Sequence, residues 1–255
     1  MENDCFEFEC ALRLSREKGV GASGFRRLIE QFGKPSVALK KWQEEIAEKT
    51  KLMKVSKNKN TQQNMLLNSL YRSIGKECFT AYYSGPDYPE QLKCLTEPPP
   101  VIYTTSPLKD ARFAAVVGTR KASGECLEMA RQMTLRFISD GYAIISGGAV
   151  GIDCSAHKTA LEAGAYTVAV LGNGIDVVYP RENAELFEQI KANGALMTEL
   201  MVGTQPMKSF FPTRNRIIAA MADIVIVIGA KPGSGSMITA NWARKLKKRL
   251  IMLPL

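Results

Sequence analysis

Apolar positions follow two different rhythms along the chain, and the change between them divides it. Residues 6–42 carry a helical period that is interrupted first by Gly19-Val-Gly21 and then by Phe32-Gly33-Lys-Pro35. Glycine and proline at those points end helices and begin turns, so the pattern predicts a small module of short helices. From Lys49 to Lys76 the chain is polar and lysine-rich, with helical spacing over Gln62–Ser73, and predicts a mobile connection. Short β-prone pieces between prolines follow from Cys78 to Leu108, where Pro98-Pro-Pro100 forbids helix and enforces an extended lead-in. The expected division is therefore a helical module with its basic connection over 1–75 and a core over 76–255, whose glycine-loop sheet begins near Lys109.

Beyond that point strand, glycine loop and helix repeat. Ala114-Ala-Val-Val117 leads into GTRKASGE and a helix to Asp140, and Tyr142-Ala-Ile-Ile145 leads into SGGAVGID and a helix to Ala163. Thr167–Leu171 leads into GNGID, and Ala222–Ile228 leads into GAKPGSGS, the helix MITANWARKLKK and a last strand. Buried apolar strands alternating with amphipathic helices specify an α/β, doubly wound and mostly parallel sheet. Right-handed crossovers then bring these loops to one carboxyl-end edge.

Composition narrows the class. With 255 residues, 45% hydrophobic and 23% charged, the chain can bury a sizeable core. No apolar run approaches the roughly 20 residues that span a bilayer, and the acidic start Met1-Glu-Asn-Asp is unlike a secretory signal, so a cytoplasmic protein is expected. Six cysteines without a Cys-x-x-Cys pair and a single histidine favour reduced thiols over disulfides or a metal centre. A formal charge of +9 implies attraction to polyanions, with nucleic acid the first suspect and an ordinary basic surface the alternative.

Four glycine-bearing loops on one edge present backbone N–H groups, and helix N-termini add positive potential, an arrangement suited to phosphate. Gly118, Arg120 and Ser123 belong to the first loop, so a guanidinium joins the amide donors there. For any single loop, a tight turn beside a solvated arginine explains as much. The segment KSFFPTRNR, Lys208–Arg216, interleaves cations with aromatics, the mixture single-stranded nucleic acid requires. Adjacent residues of an extended segment point opposite ways, so one of Phe210 and Phe211 is expected in the core and the other exposed.

Enzyme readings fit less well. Neither GTRKASGE nor SGGAVGID has the G-x-G-x-x-G spacing of dinucleotide binding, and no Walker A pattern is present. Asp153, Asp176 and Glu199 are the carboxylates open to a hydrolase reading, but Asp153 and His157, four apart at the start of a helix, read more simply as a cap and a satisfied side chain.

The ordered motifs VVGTRKAS, ISGGAVGIDCSAHKTALEAG, VAVLGNGIDVVYPREN, FFPTRNRIIAAMA and GSGSMITANWA closely resemble the core of the DNA-processing protein A (DprA/Smf) family over Tyr88–Leu253. The segment ALRLSREKGVGASGFRRLIEQFG is similar to the helix-hairpin-helix-like domain that precedes it in that family. The resemblance implies a Rossmann-like protein that binds single-stranded DNA in natural transformation, protects it and loads the RecA recombinase. It implies a homodimer, no cofactor and no turnover. By motif, the phosphate-gripping arginine falls on Arg120, and the paired lysine and stacking phenylalanine fall on Lys208 and Phe211. Arg214, Asn215 and Arg216 are implied at or beneath the same pocket. Ser146, Gly147, Gly151, Asp153, Gly233, Ser234, Gly235 and Ser236 match the anion-lining loops.

The chain departs from the family pattern where SGLARGID becomes Ser146–Asp153 with Val150 in place of an arginine. Many members also continue past the position matching Leu255 into a winged-helix domain, so either a short form or a shortened chain is expected. Two other readings stand beside this one. A nucleotide-acting enzyme would resemble the "lonely guy" phosphoribohydrolases, but KPGSGSMITAN lacks the glutamate of their PGGxGTxxE loop. An interaction module would use the sheet mainly for dimerisation and RecA docking.

Overall fold

The structure, a computed structural model, describes residues 2–51 and 78–254; the helical spacing at Gln62–Ser73 lies outside them. Two compact units emerge, one of residues 1–88 and 96–102, the other of residues 89–95 and 103–255.

In the smaller unit, helices α1 (Glu2–Arg16), α2 (Gly21–Phe32) and α3 (Pro35–Lys51) are separated where glycine and proline interrupt the period. The α2 helix ends at Gly33, whose φ of 80° lets its N–H reach Ile29 O, and α3 runs on into the lysine-rich stretch. Phe25, Leu28 and Ile29 of α2 are buried beside Leu14 and Leu39. Glu7 is buried too, and its carboxylate accepts from the Ser36 backbone N–H at 2.9 Å and the Ser36 hydroxyl at 2.7 Å, satisfying an orphan donor in the first turn of α3. Strand β1 (Phe79–Tyr82) and the first half of β2 (Val101–Thr104) complete this unit.

The larger unit is a Rossmann-like α/β layer. Its strands are β3 (Phe113–Gly118), β4 (Ala143–Ser146), β5 (Thr167–Val170), β6 (Ala195–Thr198), β7 (Ile224–Ile228) and β8 (Arg249–Leu253), joined by Tyr103 and Thr104 of β2. They lie in the order β2-β6-β5-β4-β3-β7-β8, parallel throughout except where β2 meets β6. Strand β7 reads IVIVI and is buried at every residue, as a strand covered on both faces must be. Each of its isoleucines contributes about 1.5–3 kcal/mol of burial.

Five helices cover this sheet: α4 (Gly124–Ser139), α5 (Ile152–Glu162), α6 (Ala184–Asn193), α7 (Phe210–Met221) and α8 (Gly235–Lys245). Cys126, Ala130 and Phe137 of α4 and Ile152, Ala156 and Ala160 of α5 follow the helical period and pack on Ala114, Val116, Ile224 and Ile226. Small residues at 156 and 160 let α5 lie close to the strands. The order reverses between β3 and β7, because the chain leaves β3 toward β4 on one side and returns to β7 on the other. That reversal opens a crevice at the carboxyl ends of the two strands.

Candidate functional site

A cavity of about 660 Å³ occupies this crevice. Its walls are the loop after β3 (Gly118–Lys121), the loop after β7 with the start of α8, and the start of α7. Close strand approach explains the first glycine, because a Cβ at Gly118 would lie 2.2 Å from Ile228 O. The Thr119 N–H bonds Ile228 O at 3.1 Å, and the Ile152 N–H bonds Thr119 O at 3.2 Å, so three loops are laced together. Gly151 permits this lacing with a φ of 84°, and a Cβ there would strike Thr119 O at 2.4 Å. The α8 helix has no side-chain cap, which leaves its first amides open to an anion, whereas the α5 amides of Ile152 and Cys154 are spent on Thr119 O and Ala149 O. Four exposed cations, Arg120, Lys121, Lys208 and Lys231, border the cavity.

An aromatic array stands on the same wall. The rings of Phe211 and Tyr179 lie 5.5 Å apart at 39°, and the Arg120 guanidinium is 5.8 Å from the Phe211 centroid. Phe211 also depends on Gly172, where a Cβ would come within 2.7 Å of its ring. The expected split of Phe210 and Phe211 into one buried and one exposed ring does not hold. Both lie in the first turn of α7 rather than in an extended segment, and both are half-buried. Pro212 is the third residue of that helix, where its missing N–H costs nothing.

Several residues expected to line the pocket build its frame instead. Arg214 is 5% exposed, and its Nη1 donates to Gly147 O at 2.5 Å and to Val170 O. Its Nε donates to Asn215 Oδ1, whose Nδ2 in turn donates to Gly235 O at 2.9 Å. Asp153 is 7% exposed, and its Oδ2 accepts from the Gly147 and Ala149 N–H groups at 3.2 and 3.4 Å. Burial pushes the Asp153 carboxyl up against the pull of the Arg214 charge, and it pushes Arg214 down to about 10, so the guanidinium stays charged at neutral pH. Arg214 and Asp153 thus border the cavity while fixing the β4–α5 loop from both sides, and Asn215 ties Arg214 to the start of α8.

Six expected residues are not among this cavity's lining. Ser146 is fully buried and its hydroxyl donates to Val116 O at 2.6 Å, pinning β4 to β3. Ser123 caps α4 by accepting from the Cys126 N–H. Arg216 pairs with Glu199 at 2.5 Å, and burial pushes that carboxyl up while Arg216 opposes the shift. Gly151 serves the lacing already described, and Gly233, with a φ of 77°, forms the turn before α8. Gly118, Arg120, Lys208, Phe211 and Ser234–Ser236 do meet at the cavity, and Gly147 lines a smaller one beside it. Tyr179, Lys121 and Lys231 were not singled out in the sequence. An aromatic directly before proline at the end of the third glycine loop was the available signal for Tyr179.

His157 is fully buried below the site, with Nδ1 2.8 Å from Thr167 Oγ1, and that hydroxyl donates to Ile144 O. The hydroxyl proton is thus committed, so Nδ1 carries the imidazole proton. Burial and then the Arg214 charge push its pKa down to about 3. The unfolded imidazole titrates near 6.5, so between these values only the unfolded chain takes up the proton, and stability falls as pH drops. From pH 7 to pH 6 the expected loss is about 0.7 kcal/mol. His157→Asn is expected to remove that part of the slope in denaturant titrations at the two pH values, and equal slopes for both proteins would contradict a neutral imidazole.

Among the described residues no group of three or more His, Cys, Asp or Glu side chains is placed to hold a metal ion, and no helix is long and apolar enough to cross a membrane.

Comparison with known proteins agrees with this architecture. The chain is 39% identical over 175 residues to protein Smf of Synechocystis sp., covering 66% of this chain and 44% of that protein. It is 33% identical over 174 residues to DNA processing protein DprA of Bacillus subtilis, covering 67% and 59%. The chain therefore spans about half the length of the curated relatives it matches. Among solved structures, DNA processing protein A of Helicobacter pylori, described for its single-stranded DNA binding mode, matches with a TM-score of 0.61 at 28% identity over 69% of this chain and 81% of that one. The fold of DprA from Streptococcus pneumoniae matches over the whole of this chain and 86% of that one, with a TM-score of 0.67 at 24% identity. Residues 8–53 match the DprA-like N-terminal HHH domain. With residues 79–255 matching its core, the chain belongs to the family of DNA recombination-mediator protein A.

Proposed function

We propose that the chain binds single-stranded DNA at the crevice without turning it over, and that it acts in the cytoplasm as a homodimer during DNA uptake in natural transformation. In this reading it protects the incoming strand and helps load the RecA recombinase. The observation that carries the proposal is the array in which Arg120 and Tyr179 flank the Phe211 ring above a cavity bordered by four cations and the uncapped N-terminus of α8. An exposed base offers a face to stack and each nucleotide a charge to neutralise, whereas the paired bases of a duplex present neither ring face. The three carboxylates weighed above for a hydrolase are engaged structurally, Asp153 with backbone amides, Glu199 with Arg216 and Asp176 with the Gly203 N–H.

Fluorescence anisotropy with a labelled oligonucleotide and its duplex tests the proposal. Tighter binding of the single strand, weakening steeply with salt, is expected. Equal affinity for both forms, or none, sinks it. Arg120→Ala is expected to weaken binding to every sequence and to flatten the log–log salt slope by about 0.7, one phosphate's share on a single strand. An unchanged slope would remove Arg120 from the phosphate contacts.

A further inference from the structure

Beside the large cavity lies a second of about 210 Å³, which shares with it Arg120, Ala149, Tyr179, Phe211 and Arg214. This volume is below the roughly 300 Å³ at which pockets for whole drug-sized molecules begin. It suits one heteroaromatic ring system and excludes a sugar and phosphate in addition. Two walls supply ring faces from Tyr179 and Phe211, and Val150 and Pro180 make others apolar. Val150 stands where the family pattern has arginine, so that wall lacks a cation.

The smaller cavity's one acidic side chain is Glu182, while its two cations, Arg120 and Arg214, are those it shares with the larger cavity. Glu182 is exposed, borders this smaller cavity and not the larger one, and among the described residues engages no cation within 4 Å. A carboxylate offers acceptors and repels phosphate, so the part of a ligand that reaches Glu182 is uncharged and donor-bearing, with its phosphate held on the shared side by Arg120 and Lys208. Resting on the single-stranded DNA reading, we infer that the smaller cavity takes one unstacked base and that Glu182 selects a base with an exocyclic amino group, cytosine over thymine. The two pyrimidines match in ring size and differ most at position 4. Cytosine presents an N4 amino donor there and thymine an O4 acceptor that would face the carboxylate's lone pairs.

The test is anisotropy with dC and dT oligomers of equal length, kept slightly above neutral pH so that the dC strand stays unpaired. Wild type, Glu182→Ala and Glu182→Gln are compared, with melting curves for each; the exposed position predicts unchanged melting. Wild type is expected to bind dC roughly three- to tenfold more tightly than dT, the range of one net hydrogen bond. In Glu182→Ala the ratio collapses toward one. In Glu182→Gln it narrows, because the amide can also donate to O4. Equal binding of dC and dT by wild type, or a dC preference that survives in Glu182→Ala, overturns the assignment and leaves single-strand binding standing. Failure of wild type to bind either oligomer removes the underlying reading as well.

Discussion

Replacing Arg214 with methionine is expected to lower the unfolding free energy by about 3–5 kcal/mol, the cost of removing one partner from a buried charge pair. The long methionine side chain fills most of the space, so the loss is electrostatic rather than a cavity effect. Two carbonyls, Gly147 O and Val170 O, lose their donor, and Asp153 is left buried without its compensating charge. Urea titrations measure the effect. Asp153→Asn in the Arg214→Met background should recover part of the stability, because a neutral amide no longer needs the cation. The double variant then loses less than the sum of the single ones. A loss below about 1 kcal/mol for Arg214→Met would mean that the guanidinium is not holding the β4–α5 loop in the way its burial implies.

Much of this frame is legible in the sequence, and the part that is not has a physical cause. Strand β7 and the strand–glycine–helix repeats announce themselves, because a two-sided buried strand needs consecutive apolar residues and a close strand approach admits no side chain at Gly118. Arginines are harder, since a cation's sequence position does not say which cations are buried. Arg214 shares a helical face with Ile218 and Met221, at spacings of four and seven, and that face turns inward. That spacing is the signal that Arg214 is a strut rather than a free phosphate ligand. The extended reading of Phe210-Phe211 fails for a related reason. Proline disfavours helix for the residue before it, but the first turn tolerates proline, and the helix begins two residues earlier than Pro212 suggests. Ser146 looks like an anion ligand in its motif, yet it is spent inside the sheet on Val116 O.

Phe211→Ala is expected to cost about 1–3 kcal/mol of single-strand affinity, the worth of one base stacked on an aromatic ring. That corresponds to a fall of roughly 5- to 150-fold in the binding constant. The side chain carries no charge, so the salt slope should stay at the wild-type value, the opposite of the signature expected for Arg120→Ala. Because the ring is half-buried and leans on Tyr179 and the bare face of Gly172, its loss should leave the fold largely intact. A fully buried phenylalanine would instead cost about 3–5 kcal/mol of stability. Phe210→Ala, one residue along the same helical turn but outside the cavity lining, serves as the control and should bind nearly as wild type does. Phe211→Tyr retains a ring for stacking and should restore most of the affinity. Anisotropy titrations at several salt concentrations, with melting curves for each variant, separate these outcomes. Wild-type affinity in Phe211→Ala would show that no base stacks on this ring, even if phosphate is held beside it.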